Sequence, residues 1–260
     1  MKKIILSLFD AFWSLLPKGV RVHLIQSRKN VGLLDTSKKQ ILMRLESRDT
    51  LSRLDSCAKE PETIKWIDSY VKKDDVLFDI GANVGAYSLY AASVIGSRVY
   101  SFEPSPSTFR LLLENIHLNR LSSTITPFNI PLSSSSDMKV FKYSSLSSGA
   151  ASHTGLEQSE STNDTISQPV LTTTLDELTT RYNIPQPNHI KIDVDGHELD
   201  ILKGARKTLD SSSLRSVQVE LSERDQNYEQ IVSIMKQSQL RIDHVNKHPN
   251  SKATDIVFVK

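Results

Sequence analysis

Val76-Leu77-Phe78-Asp79-Ile80-Gly81-Ala82-Asn83-Val84-Gly85 decides how this chain is read. The apolar run at 76–78 suits a buried strand. Gly81 and Gly85 mark a turn, and Tyr87-Ser88-Leu89-Tyr90-Ala91-Ala92 continues as a helix. Strand, glycine turn and helix bring backbone N–H groups close to a nucleotide-like ligand. Glu103 ends the next strand candidate about twenty residues on, where a ribose-binding carboxylate is expected. The stretch predicts an adenosine-containing cofactor.

Working outward, the pattern predicts a strand over 76–80, a helix over 86–94 and a strand over 99–102. A helix over 107–118, with Phe109, Leu112, Leu113 and Ile116 on its face, leads to a strand over 124–130. Such alternation implies a parallel sheet covered by helices. Right-handed crossovers then place the strands' C-terminal ends on one rim. Between about 132 and 170 the order breaks into Ser-rich sequence, with strand-like pieces at 138–143 and 170–174. A segment this long is a lid, a β-insertion or a flexible surface loop. Alternation resumes with a strand over 190–194, a helix over 198–209, a strand over 217–221 and a helix over 228–238. Strands over 241–245 and 255–259 flank His248-Pro249-Asn250-Ser251, which predicts an antiparallel hairpin. One antiparallel strand closing a parallel sheet is not the plain dinucleotide-binding pattern.

The 260 residues are 38% hydrophobic and 24% charged, enough for one sizeable core with an appendage. A net charge of +2 gives no sign of nucleic-acid binding. The single cysteine, Cys57, excludes an intrachain disulfide and a Cys-rich zinc site, and fits a reducing, cytoplasmic setting. Residues 1–59 read as an N-terminal helical extension, with helical spacing at Ile41, Leu42 and Leu45. Residues 60–260 read as the main domain with its Ser-rich insertion. Met1-Lys2-Lys3 precedes an apolar run to Leu16, which is interrupted by Asp10, lacks a small-residue cleavage site and is too short to span a bilayer. It reads as an amphipathic helix packed on the domain. Phe9, Phe12 and Trp13 also suit peripheral contact with a membrane.

A dinucleotide fingerprint wants glycine where Asn83 stands, because the middle glycine admits the pyrophosphate. No Gly-Lys pair follows for a P-loop. S-adenosylmethionine has no phosphates. Asp79 can accept from its ammonium, open backbone at Gly81 and Gly85 can meet its carboxylate, and Glu103 can accept from both ribose hydroxyls. An NAD-dependent oxidoreductase and a non-catalytic nucleotide-binding protein stay as alternatives.

Two blocks resemble the FkbM family of S-adenosylmethionine-dependent methyltransferases. One is residues 76–85 with Ser101-Phe102-Glu103-Pro104. The other is Ile190-Lys191-Ile192-Asp193-Val194-Asp195-Gly196-His197-Glu198-Leu199, continuing to Leu202-Lys203-Gly204-Ala205. Thr174-Leu175-Asp176-Glu177-Leu178 matches the segment that precedes the second block. Pro131 departs from the alanine common in the family. The resemblance covers roughly residues 60–260. It implies an α/β class I, Rossmann-like methyltransferase fold: a seven-stranded, mostly parallel sheet with the last strand antiparallel. It also implies methyl transfer to a hydroxyl of a sugar or other small metabolite. Cofactor contacts carry over to Asp79, Gly81, Asn83, Gly85 and Glu103, with Asn129 at the adenine edge.

Transfer to a hydroxyl needs an acceptor oxygen aligned about 3 Å from the methyl carbon and a place for its proton. Asp193 ends the fourth strand on the ligand rim, Lys191 shares its face, and His197 titrates in a suitable range. These three are the catalytic candidates. Asp193 or Asp195 could instead cap the following helix. Together they could bind Mg²⁺, but nothing else supports a metal and none is assigned. Glu220 is a candidate substrate contact. His153 reads as an exposed loop residue unless the insert is a lid.

Overall fold

The computed structural model describes residues 15–17, 19–20, 30–143, 148–149, 166–222, 226–247 and 253–260. The apolar run through residue 14, His153 and the His248-Pro249-Asn250-Ser251 turn lie outside them. Among the described residues no helix is long and apolar enough to cross a membrane. The chain divides into two units, Met1–Val31 and Gly32–Lys260, and the sheet, core and cavity belong to the second.

Seven strands form the main sheet: β1 (Val76–Ile80), β2 (Arg98–Phe102), β3 (Ile125–Phe128), β4 (His189–Ile192), β5 (Ser216–Ser222), β6 (Arg241–Lys247) and β7 (Ala253–Val259). Their order is β6-β7-β5-β4-β1-β2-β3. Only β7 runs antiparallel to its neighbours. The resemblance implies a seven-stranded, mostly parallel sheet with its last strand antiparallel, and the sheet has these features. β3 is an edge strand and carries Pro127. β6, the other edge, has a register shift between Ile242 and His244.

Helices cover both faces: α1 (Pro61–Tyr70), α2 (Ala86–Tyr90), α3 (Pro106–Leu118), α4 (Leu175–Arg181), α5 (Glu198–Lys203), α6 (Arg206–Asp210) and α7 (Tyr228–Gln237). Phe78, Ile80, Ile190, Ile192, Val217 and Val219 build the core on one face. Leu77, Val99 and Val257 meet Trp66, Tyr87 and Leu111 on the other. The period of two along the strands sorts these residues.

Four segments depart from expectation. The spacing at Ile41, Leu42 and Leu45 belongs to a strand, Leu42–Arg44, not a helix. Ile41 and Met43 are buried alternately, and α3 holds the strand's backbone. Leu42 N donates to Asn119 Oδ1 at 2.9 Å and Arg44 N to Asn115 Oδ1 at 2.7 Å. The expected helix over 198–209 is two, because Gly204 closes α5 where a Cβ would lie 2.2 Å from the Ser133 carbonyl oxygen. Asp176 of α4 then caps α6, accepting from Lys207 N and Thr208 N at 2.9 and 2.8 Å. The helix over 86–94 is α2 followed by a π turn, Ala91–Ile95. In the insert, Met138–Tyr143 is a strand as expected, but its antiparallel partner is Ile166–Leu171, which starts before the expected piece at 170–174 and ends inside it.

Opposite the ligand rim, His189 is buried and satisfied on both sides. Nε2 pairs with Asp75 Oδ2 at 3.2 Å and Nδ1 with Ser216 Oγ at 2.7 Å. Ser216 Oγ also accepts from Trp66 Nε1 at 3.1 Å. Burial pushes the imidazole down to about 4 despite Asp75, so it folds neutral. Between that value and an unfolded pKa near 6.5 the unfolded chain binds the extra proton, so stability falls as pH falls. Urea unfolding at stepped pH is expected to show a loss of roughly 3 kcal/mol across this window. His189→Asn should be less stable at pH 7 and lose that component.

Candidate active site

A cavity of about 230 Å³ opens at the C-terminal rim of the sheet. Its floor is Ile80 and the turn residues Gly81, Ala82 and Asn83. β2 contributes Phe102 and, just beyond, Glu103. Past β4 come Asp193, Val194, Asp195 and His197, and β5 adds Glu220. Arg53, Ser56 and Glu60, which precede α1, line another side together with Tyr87 of α2 and Phe141 of the insert.

Local backbone explains the floor. Gly81 has φ +83°, and a Cβ there would sit 1.9 Å from the Asp193 carbonyl oxygen. Asp193 N in turn donates to Ile80 O at 3.0 Å, so β1 and β4 stay side by side to the rim. Asn83 has φ +51°, a left-handed conformation that Asn tolerates. Gly85 lies one layer back: a Cβ would meet Leu112 at 2.5 Å. The turn's glycines serve close packing of strand and helix, as well as access to the cavity.

Glu103 is buried, and each carboxylate oxygen accepts a backbone N–H, from Asn83 at 3.0 Å and Ser105 at 2.8 Å. Burial pushes its pKa up to about 7, against the pull of those two amides. The remaining lone pairs are open to a ligand hydroxyl.

At the other end, oxygens of Glu60, Asp193 and Glu220 lie within 4.8 Å of one another. Three carboxylates this close repel unless protons or cations neutralise them. Lys191 supplies one charge, its Nζ 2.7 Å from Asp193 Oδ2 and 4.9 Å above the Tyr87 ring centre. Burial works against that ammonium, but Asp193, Glu60 and Asp79 outweigh it and keep the lysine charged. Burial likewise opposes charge on Asp193, and Lys191 overcomes it to hold this carboxyl below its usual range. Glu220 goes the other way: burial, then Asp193, push it up to about 9, so it holds a proton at neutral pH. Burial also lowers His197, leaving a neutral imidazole on the wall.

The structure therefore brings Gly81, Asn83, Glu103, Asp193 and His197 to one cavity. It sets the other expected residues elsewhere. Asp79 is 1% exposed, lies off the wall and accepts from Ser88 Oγ at 2.5 Å. Lys191 stands behind Asp193. The Asn129 amide donates to the Glu103 and Pro104 carbonyls, both at 2.9 Å, and is not on the wall. The N-cap position of α5 is His197, not Asp193 or Asp195. Arg53, Glu60 and Tyr87 reach the wall with no motif to announce them.

A sheet of this order, with its cavity over a glycine turn and an acid closing β2, defines the class I methyltransferase architecture. A family model described as the methyltransferase FkbM domain matches residues 79–256, and the chain belongs to that family. It is 31% identical over 175 residues to the hexuronic acid methyltransferase AglP of Haloferax volcanii, covering 67% of this chain and 68% of the relative. The crystal structure of methyltransferase FkbM from Methylobacillus flagellatus KT shares the fold, with a TM-score of 0.50 and 14% identity. That match covers 83% of this chain and 56% of the other. Membership makes this chain a methyltransferase with S-adenosylmethionine as its cofactor, and the oxidoreductase alternative falls.

The Gly81 contact yields a direct test. Gly81→Ala places a methyl group against the Asp193 carbonyl in a positive-φ conformation, so a loss on the order of 3 kcal/mol is expected in chemical denaturation. An unchanged midpoint would show that β1 and β4 are not held this closely.

Proposed function

We propose that this methyltransferase is an O-methyltransferase that moves the methyl group of S-adenosylmethionine to a hydroxyl of a sugar or other small metabolite. The observation that carries this reading is the division of the cavity. Glu103, next to the glycine turn, offers acceptor oxygens suited to a ribose. The carboxyl groups of Glu60, Asp193 and Glu220 gather at the other end, where an acceptor hydroxyl can donate to the ionised Asp193. The hexuronic acid methyltransferase relative supports a saccharide acceptor.

In this reading Gly81, Asn83 and Glu103 hold the cofactor. Asp79 and Gly85 shape the turn from behind, and Asn129 fixes the backbone after Glu103. The acceptor oxygen attacks the methyl carbon as the carbon–sulfur bond breaks and S-adenosylhomocysteine leaves. The hydroxyl proton becomes strongly acidic as the new C–O bond forms, so a carboxylate of low pKa suffices to receive it. Asp193 takes that role, and Lys191 is a positioning residue that orients Asp193 and stays charged. His197, neutral on the wall, is the second proton acceptor to test.

Calorimetric titration separates the cofactor classes. S-adenosylhomocysteine should bind and NAD should not; folded protein that takes only NAD would sink the proposal. Because ribose hydroxyls donate to ionised Glu103, affinity for S-adenosylhomocysteine should fall as pH drops below about 7, approaching about tenfold per unit. Glu103→Gln should bind weakly and lose that pH dependence.

Mass spectrometry of cell extracts incubated with enzyme and methyl-labelled cofactor identifies the acceptor. Label on nitrogen or carbon would contradict oxygen transfer, and no label at all would favour a non-catalytic protein. With the acceptor in hand, Asp193→Asn should lower kcat about 100-fold or more while cofactor affinity stays within about threefold. An equal loss in His197→Gln alone would move the base to His197.

A further inference from the structure

The carboxyl groups of Glu60, Glu103, Asp193, Asp195 and Glu220 face the cavity, against one arginine, Arg53. Lys191 lies behind the wall and is engaged with Asp193. S-adenosylmethionine itself carries one carboxylate, on its methionyl arm. Entering this acid-lined space, that carboxylate needs a cation.

Arg53 is built to present one. It follows the helix Arg48–Ser52, whose start is fixed by a reciprocal cap between Ser47 and Thr50. Arg53 Nε donates to Gly149 O at 3.1 Å, and Gly149 N donates to Thr108 Oγ1 at 3.3 Å. These bonds fix the guanidinium's stem to the first turns of α3. Its two terminal amino groups have no hydrogen-bond partner among the described residues. Its charge pulls down both Glu103 and Asp193, placing it within electrostatic reach of each end of the cavity.

We propose that Arg53 binds the methionyl carboxylate of the cofactor through those two amino groups. This assignment rests on the cofactor reading above. The sulfonium, one carbon from a ribose held at Glu103, must turn its methyl group toward Asp193, and the methionyl arm leaves that same sulfur, so its carboxylate stays within reach of Arg53, whose charge already meets both residues. A carboxylate on the acceptor would instead lie against the ionised Asp193 and the carboxyl groups of Glu60 and Glu220, with no cation of its own.

Calorimetry on the full chain tests this with two ligands. S-adenosylhomocysteine has the amino-acid end; 5′-methylthioadenosine keeps the adenosine and thioether but lacks it. Arg53→Gln should weaken S-adenosylhomocysteine about 10- to 100-fold and leave 5′-methylthioadenosine within about twofold. Arg53→Lys should fall between, keeping charge without the planar fork. Retained 5′-methylthioadenosine binding also reports that the variant's pocket is folded. Unchanged affinity for S-adenosylhomocysteine in Arg53→Gln overturns the assignment and points to the acceptor as the carboxylate's source. Equal losses for both ligands overturn it in favour of a structural role. Wild-type protein that binds neither ligand overturns the cofactor reading along with it.

Discussion

One buried ammonium organises the ligand rim. Lys191 enters the protein against the cost of desolvation, and it stays charged only because carboxylates surround it. Register decides which ones. Asp79 of β1 pairs with Lys191 of β4, Lys191 with Gln218 of β5, and Glu220 of β5 with Asp255 of β7. All of these side chains fall on the sheet face covered by α1 and α2. A polar layer thus runs through that core toward the rim, and Asp193 and Glu220 bring its charge to the cavity.

Two ends of one cavity then differ by environment, although both are built from carboxyl groups. Glu103 is buried against two amides and titrates near neutrality. Asp193 is held ionised by Lys191, while Glu220 beside it holds a proton. Sorting carboxyl groups by neighbouring charge and burial is how a site assigns hydrogen-bond acceptor and donor roles to the same chemical group.

Much of this was legible in the sequence because it is local. β1 falls on residues 76–80 as expected, and Glu103 stands just past β2 on the rim. Period two placed Lys191 and Asp193 on one face. Asp79 shares that face, but it stands inside β1 before the glycine turn and is buried against Ser88, so it lies off the cavity wall. Arg53, Glu60 and Tyr87 were not legible, since they meet Asp193 only through the crossing of α1 and α2 over the sheet. The segment at 41–45 misled because three apolar residues fit a helix, while the two asparagines that bind its backbone, Asn115 of α3 and Asn119 just past its end, lie more than seventy residues away in sequence.

The two outer strands have a consequence for the protein's life in a crowded cell. An open sheet offers unpaired amides at both borders, and such borders recruit other chains. Here Pro127 removes an N–H from β3, and the irregularity at Ile242/His244 distorts β6, which also carries Arg241 and Asp243. Neither border is a clean template for an eighth strand. The molecule can thus keep a strand-rich platform under its ligand rim with little hazard of edge-to-edge aggregation.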